Sequence, residues 1–141
     1  MKLTVTKIDV WTCELADQPG RLASKLEPLA AAGADLSYLV ARRQADKPGT
    51  GVVYLGGLKG ARQAKAAAEA GFSKGDPITA LRIDGPNKPG IVQRIAAAVA
   101  AAGVNMRGVK AATVGNKFVT VLAFDTPDDA AKAAKAIRAM K

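Results

Sequence analysis

The apolar residues of the chain follow two spacings, which predict helices and strands in alternation. Leu22, Leu26 and Leu29 recur at helical spacing, and this pattern predicts a helix that starts after the first Pro-Gly pair and ends at Ala32, before Gly33. Runs rich in Thr, Val and Ile predict strands between the helical segments. The predicted strands comprise residues 3–15, 36–40, 50–55, 78–84, 104–114 and 117–124.

The first of these strands, residues 3–15, contains a break in its alternation. Ile8 and Val10 have the opposite parity to Cys13, so we expect a bulge or burial on both sides of the strand. Trp11 and Cys13 are expected in the core rather than in contact with a cofactor.

Three further helices are predicted downstream of the first. An alanine-rich stretch predicts one over about residues 59–70, and Thr126, followed by a proline and two acids, predicts the N-cap of the last. The third helix has its apolar stripe at Ile91, Ile95 and Val99, and the inward residues of the last are expected to be Ala130, Ala134, Ile137 and Met140. Within the first helix, Pro28 predicts a kink or a restart.

The chain repeats this order of elements. The stretch DQPGRLASKLEPLAAAGADL begins at Asp17, and NKPGIVQRIAAAVAAAGVNM begins 70 positions later at Asn87. Both copies read strand, helix, strand, strand, helix, so we predict two repeats, residues 1–72 and 73–141. Neither copy has a clear fourth strand; either the repeats exchange strands or a neighbour completes each sheet. Because an uncovered edge strand is a pairing surface, a homodimer is expected.

Composition narrows the function classes. The net charge of +9 would attract anions, but the chain has no basic run and no aromatic pair typical of an RNA-binding strand, so nucleic acid is not the expected partner. With no histidine, no metal-ligand spacing and one cysteine, we expect no catalytic site, no metal and no cofactor. No leader and no apolar run of membrane length are apparent, which predicts a cytoplasmic protein without a membrane partner.

The D-x-P-G sequence at residues 17–20, in this order of elements, resembles the ACT domain, a ferredoxin-like βαββαβ module of amino-acid metabolism. The resemblance covers the chain twice and extends through the sequences AAGADL and AAGVNM. It implies an α+β fold of two ferredoxin-like repeats, with antiparallel sheets and helices on one face. The second copy departs from the motif, because an amide replaces the acid at Asn87 and Lys88 stands beside it.

The resemblance also implies where a ligand binds. In the family, the turn before the first helix meets the start of the second strand of a neighbouring unit, and effector amino acids lie in that seam. The implied ligand-binding residues are Asp17, Gln18, Pro19, Gly20, Asp35, Leu36, Asn87, Lys88, Pro89, Gly90, Asn105 and Met106.

The residue types allow two interpretations of these turns. The first turn of a helix offers free N–H groups and a positive dipole end to a ligand carboxylate. Asp17 and Asn87 could instead be simple N-caps. Lys88 either attracts a carboxylate or repels an ammonium and marks the second site as altered. The glycines of residues 54–60 favour a plain turn over an anion site. Four basic residues on strand edges either recruit an acidic partner or discourage aggregation: Arg42, Arg43, Arg107 and Lys110.

The sequence therefore predicts a stand-alone tandem ACT-type protein, not an enzyme, that binds a free amino acid at seams between repeats or subunits. It would signal allosterically to a protein partner in amino-acid metabolism. Two alternatives stay open: a structural subunit of an amino-acid metabolic enzyme that binds no ligand, and a basic ferredoxin-like nucleic-acid-binding module. The latter would bind in a steeply salt-dependent manner.

Overall fold

The computed structural model describes residues 2–74 and 79–141. Within them the chain forms seven strands and four helices. Their bounds are β1 Thr4–Asp9, β2 Trp11–Ala16, α1 Arg21–Ala31, β3 Tyr38–Arg43, β4 Thr50–Gly56, α2 Gly60–Glu69, β5 Thr79–Pro86, α3 Ile91–Ala101, β6 Gly108–Val114, β7 Lys117–Phe124 and α4 Pro127–Arg138.

The elements form two compact units. The first unit comprises residues 9–74 and contains a three-stranded sheet in the order β2-β4-β3. The second unit comprises residues 2–8 and 79–141 and contains a four-stranded sheet in the order β1-β5-β7-β6. Strands β2, β3 and β4 pair antiparallel, as do β5, β6 and β7, so the predicted α+β fold of two ferredoxin-like repeats is confirmed.

The prediction of one strand over residues 3–15 is wrong. Two strands, separated by Val10, join different sheets, and the break in alternation at Ile8 and Val10 marks the point where the chain leaves one sheet for the other. β1 lies beside β5 and supplies the fourth strand of the second unit, so a strand from the first repeat completes the sheet of the second. The division of the chain at residue 72 stays a prediction along the sequence, but in space residues 2–8 belong with the second unit.

Up to residue 74, where the described part of the first unit ends, one residue pair stands in the place of a fourth strand. Thr12 and Ser73 form an isolated antiparallel bridge, in which each backbone N–H donates to the other's carbonyl at 2.9 Å. Ser73 lies beside β2, as β1 lies beside β5 in the second unit. The first sheet is therefore extended at this edge by a single residue pair.

Helices α1 and α2 contribute residues to the apolar core of the first unit. Its buried members are Cys13, Leu29, Val53, Leu55, Ala67 and Phe72, and Trp11 packs against them, which confirms the core assignment of Trp11 and Cys13. α1 continues through Pro28, so a restart there is wrong. Pro28 and Ser24 are both exposed, so solvent can hydrogen-bond the Ser24 carbonyl that would otherwise accept from residue 28. The helix ends at Ala31, two residues before Gly33 (φ 80°), and the Ala34 N–H donates to the Leu29 carbonyl at 3.0 Å.

The core of the second unit follows the predicted helical stripes. Ile91, Ile95 and Val99 are buried, as are Ala130, Ala134 and Ile137 of α4, and Met140 packs against the same cluster. The Thr126 hydroxyl accepts from the Asp129 N–H at 3.1 Å, so the predicted cap is confirmed.

Some strand bounds differ from the prediction. Strand β3 begins at Tyr38 and β6 at Gly108, later than predicted, because the segment after each helix runs first as an irregular loop. The predicted start of β5 at residue 78 lies outside the described residues. None of the helices within the described residues is both long and apolar enough to cross a membrane.

Candidate functional site

The turn before α1 has a defined geometry that needs its proline and glycine. The Arg21 N–H donates to the Gln18 carbonyl at 3.3 Å, and Gly20 has φ 84° and ψ −10°. These values describe a type II turn, with Pro19 at the second position and Gly20 at the third, where a positive φ favours glycine.

The turn before α3 has the same geometry. The Ile91 N–H donates to the Lys88 carbonyl at 3.1 Å, and Gly90 has φ 81° and ψ 4°. The duplicated motif is therefore a duplicated turn, which positions Asn87 before α3 as it positions Asp17 before α1.

The interpretation of Asp17 and Asn87 as N-caps is wrong. The N-cap residues are Gly20 and Gly90, and no side chain of the described residues caps either helix, because the Pro-Gly turn separates the acid or amide from the first helical turn. The backbone N–H of Asp17 donates to the Gly49 carbonyl at 3.0 Å, and that of Asn87 donates to the Asn116 carbonyl at 2.8 Å. Each turn is thus attached to the hairpin connection of its own unit, and N–H groups at the start of each helix lack a side-chain acceptor.

A groove of about 210 Å³ lies beside the turn of the first unit. It is bordered by residues from β2, the turn, the start of α1, the edge strand β3 and the start of β4. These residues are Leu15, Ala16, Asp17, Gln18, Leu22, Ala41, Arg42, Arg43, Gly51 and Val52. Leu15 and Leu22 also pack against the core, so the interior of the groove is apolar and its charges lie at the mouth.

An ion pair stands at the mouth of this groove. The Arg43 Nε donates to the Asp17 Oδ2 at 2.7 Å, and the two side chains are 84% and 38% exposed. Pairing in β3 and β4 places Arg43 opposite Gly51, and this brings the end of β3 next to the turn. A carboxylate and a guanidinium side by side complement the two charges of a free amino acid.

The pairing of Arg43 with Asp17 is not predicted from the sequence. Residue type alone indicates partner recruitment or protection of a strand edge for this arginine, whereas the structure pairs it with Asp17. The hairpin itself contained the signal, because antiparallel pairing from the loop at residues 44–49 aligns Arg43 with Gly51 and hence with Leu15.

Polar contacts hold the hairpin loop, residues 44–49, against β2. Glu14 accepts from Lys47 Nζ at 2.8 Å and from Gln44 Nε2 at 3.2 Å, and Gln44 also donates to Thr50 Oγ1 at 3.0 Å. The hydrogen bond from Lys47, and next that from Gln44, lowers the pKa of Glu14, while the bond to Glu14 raises the pKa of Lys47. The loop that follows Arg43 is therefore anchored to the strand that precedes Asp17.

The corresponding place in the second unit is filled. In the two sheets Leu15 pairs with Gly51 and Gly85 pairs with Phe118, so a glycine and a large residue have exchanged strands. Phe118 is 3% exposed, and a Cβ built on Gly85 would lie 3.0 Å from Phe118 Cε1 and 2.6 Å from Leu3 Cδ2. Phe118 thus occupies the space that Gly51 leaves open in the first unit.

The other predicted site residues lie elsewhere in their units. Asp35 and Leu36 follow α1, whose 11 residues span about 16 Å, so they are at the opposite end of the helix from Asp17. Asp35 is exposed and Leu36 packs against the core; Asn105 and Met106 follow α3 in the same way. The structure brings together Asp17, Gln18, Pro19 and Gly20, but not Asp35, within one unit. The joining of these segments across a seam stays a prediction.

The glycine-rich residues 54–60 have a packing role. A Cβ built on Gly57 (φ 105°) would lie 2.6 Å from the Ser37 nitrogen and 2.8 Å from the Asp35 carbonyl oxygen. The Lys59 N–H at the start of α2 donates to Gln63 Oε1 at 2.7 Å. These contacts favour the plain turn over an anion site. The described residues contain no group of three or more side chains placed to hold a metal ion.

Comparison with known proteins identifies the fold and one domain. Residues 79–141 match the ACT domain family, and a search of curated proteins finds no match. The solved structure of protein BT0572 from Bacteroides thetaiotaomicron is 20% identical, with a TM-score of 0.71 over 96% of this chain and 90% of that chain. The regulatory subunit of aspartate kinase from Thermus thermophilus, in its ligand-free form, is 19% identical, with a TM-score of 0.65 over 96% of this chain and 94% of that one.

The same regulatory subunit from Thermus flavus is 18% identical, with a TM-score of 0.62 over 98% of this chain and 95% of that chain. At these identities the likeness shows a shared fold. Residues 79–141 are therefore similar in sequence to ACT domains, and the chain as a whole has the ferredoxin-like ACT fold in two repeats.

Proposed function

We propose that this chain is a regulatory protein, without catalytic activity of its own, that binds a free amino acid and signals to a protein partner in amino-acid metabolism. The observation that carries the proposal is the pair of Asp17 and Arg43 at the mouth of an apolar groove, next to a helix start without a side-chain cap. The ACT match of residues 79–141 and the likeness to regulatory subunits of aspartate kinase support it.

The recognition chemistry follows from the charges. An α-ammonium binds against the Asp17 carboxylate, and an α-carboxylate binds the Arg43 guanidinium or the N–H groups at the start of α1. A free amino acid inserts between two side chains that otherwise pair with each other at 2.7 Å. The pair is largely exposed, so separating it costs little.

Signalling works by linkage. A ligand shifts an equilibrium between two arrangements only by the difference in its affinity for them. The seam residues named by the family resemblance, Asp35 and Leu36 with Asn105 and Met106, are proposed to meet the turns from another unit or another chain. Ligand binding would then stabilise the arrangement in which that seam is formed.

The edge strand β6 supports a homodimer. β6 is the last strand in the order β1-β5-β7-β6, and all seven of its residues are exposed in the chain, including Val109 at 41% and Val114 at 71%. An exposed edge strand with apolar side chains is a surface for pairing with a second copy. Sedimentation of the purified protein with and without ligand measures this association.

The proposal is tested by thermal shift of the purified chain against the twenty amino acids at millimolar concentration. A ligand that binds only the folded state raises the midpoint, and we expect a rise with one amino acid or a few related ones. Asp17→Ala should lower the affinity about tenfold, because it removes the partner of a charged group. Asp46→Ala, an exposed acid on the loop of the same unit, is the matched control and should leave the affinity unchanged.

If the protein is folded and none of the twenty amino acids raises its thermal midpoint, the proposal is wrong. That result would favour the structural subunit that binds no ligand. Binding of a nucleic acid that weakens steeply with salt would instead favour the basic module, given the net charge of +9.

A further inference from the structure

We infer that each chain takes one ligand, in the groove of the first unit, and that this ligand is an α-amino acid with a short aliphatic side chain. The inference rests on the proposed function and deepens it, because it names the ligand class and the unit that binds. Three observations carry it: the size and lining of the groove, the charges at its mouth, and the aromatic ring that fills the corresponding place in the second unit.

The size of the groove limits the ligand. Its volume of about 210 Å³ lies below the roughly 300 Å³ at which sites for drug-sized ligands begin. A side chain of three or four carbons fits a groove whose walls are Leu15, Leu22 and Ala41. A charged side chain that reached these walls would lie against aliphatic carbon, which is unfavourable unless the charge is paired.

The charges orient the ligand. Asp17 and Arg43 both stand at the mouth, so the zwitterionic end of the amino acid stays at the exposed side and its side chain enters the apolar interior. Gly51 lines the groove, and because glycine has no side chain it leaves space between β4 and α1. Leu15, opposite Gly51 on β2, supplies the apolar wall.

The place in the second unit that corresponds to this groove lacks both the space and the charges. Phe118 is buried at the position that corresponds to Gly51, and Gly85 leaves room for its ring. Thr113 pairs with Phe118 as Arg43 pairs with Gly51, and Asn87 stands in the place of Asp17. A zwitterion would find neither the carboxylate nor the guanidinium there, although the turn has the same geometry.

Calorimetric titration of the full chain with valine, leucine, isoleucine, lysine, aspartate and phenylalanine tests the inference. We expect one site per chain for the aliphatic amino acids and no binding of the charged ones.

Ala41→Leu narrows the groove from an exposed position, so the fold is preserved, and should weaken binding about tenfold or more. Ala111→Leu is the matched control: Ala111 pairs with Thr120 in the second unit as Ala41 pairs with Val53 in the first, and the affinity should stay the same.

A double variant places the glycine and phenylalanine pair of the second unit at the corresponding positions of the first. Leu15→Gly with Gly51→Phe reproduces the pair of Gly85 and Phe118 and should abolish binding. Because a Cβ on Gly51 would lie 3.1 Å from the Arg42 carbonyl oxygen, folding is checked by circular dichroism, and Ala41→Leu carries the test if the double variant unfolds.

The outcomes separate the two proposals. If no amino acid binds the wild-type chain, the proposed function fails. If an amino acid binds but with two sites per chain, with a charged side chain, or equally well to Ala41→Leu, the proposed function stands and the inference is wrong.

Discussion

The two units share the turn before their first helix but differ in the cross-strand pair beside it. In the first unit Leu15 on β2 pairs with Gly51 on β4; in the second Gly85 on β5 pairs with Phe118 on β7. The first arrangement leaves a groove beside the turn, and the second buries an aromatic ring there. A turn motif thus defines the backbone around a site, whereas residues on the neighbouring strands decide whether the site has space.

The two hairpins also differ, in the length of their connections and in the contacts that these connections make. Six residues, 44–49, connect β3 to β4, whereas two residues, Gly115 and Asn116, connect β6 to β7. The longer connection carries Gln44 and Lys47, which contact Glu14, so the first unit has a polar anchor near its groove. In the second unit Asp84 takes the place of Glu14, and it pairs with Arg82 on its own strand at 2.9 Å.

The largest effect on stability is expected from Phe118. Phe118→Ala would leave a cavity between Gly85, Leu3 and the core of the second unit, and large-to-small changes of this kind cost about 3–5 kcal/mol. Urea unfolding measures the loss. Val114→Ala, at a position that is 71% exposed, should cost less than about 0.5 kcal/mol. Equal losses from the two variants would show that the ring does not fill the second unit as described.

Much of the fold could be predicted from the sequence because local patterns and tertiary packing agree. The stripe of Ile91, Ile95 and Val99 is buried as its spacing requires, and Thr126 caps α4 as its residue type indicates. The order of elements in each repeat follows from the 70-residue duplication. The prediction of a single strand over residues 3–15 is wrong because only one residue separates β1 from β2 and both are rich in residues that favour strands. Only pairing with β5 shows that β1 belongs to the other unit.

The site was less predictable for a related reason. The residues of the turn were found from their motif, but Arg43, Gly51 and Ala41 carry no motif, and their position depends on strand register. The cap interpretation of Asp17 failed because capping was assigned from residue type alone, whereas the Pro-Gly turn moves the helix start to Arg21. Charge and space at a site are therefore properties of the paired strands, which a reading along one segment does not capture.

A smaller effect is expected from the two turn glycines. Gly20→Ala and Gly90→Ala each place a Cβ at a positive φ with nothing within 4 Å, so the cost is conformational, about 1–2 kcal/mol for either. A similar loss in the free energy of unfolding for the two variants, measured by urea unfolding, would show that the two turns are equivalent in structure. Gly108→Ala is the control, since its Cβ would meet only Ala123 Cβ at 3.9 Å and its φ is not in the positive range. A comparable loss from Gly108→Ala would contradict the assignment to φ.

The smallest effect concerns pH and the anchor of the first unit. Because hydrogen bonds from Lys47, and next from Gln44, lower the pKa of Glu14, the folded state favours the carboxylate. The stability that the ionised Glu14 contributes is fully present above the ordinary glutamate pKa of roughly 4.3. It is lost as the pH falls through the lower pKa of the folded state.

We therefore expect the thermal midpoint of the wild type to exceed that of Glu14→Gln slightly at pH 7, and the difference to vanish at strongly acidic pH. Glu27→Gln, at an exposed position on α1, is the control at pH 7 and should leave the midpoint unchanged there. A difference that stays constant across this range would mean that the loop is held by contacts other than the ionised Glu14, and the hairpins of the two units would then differ in length but not in a charged anchor.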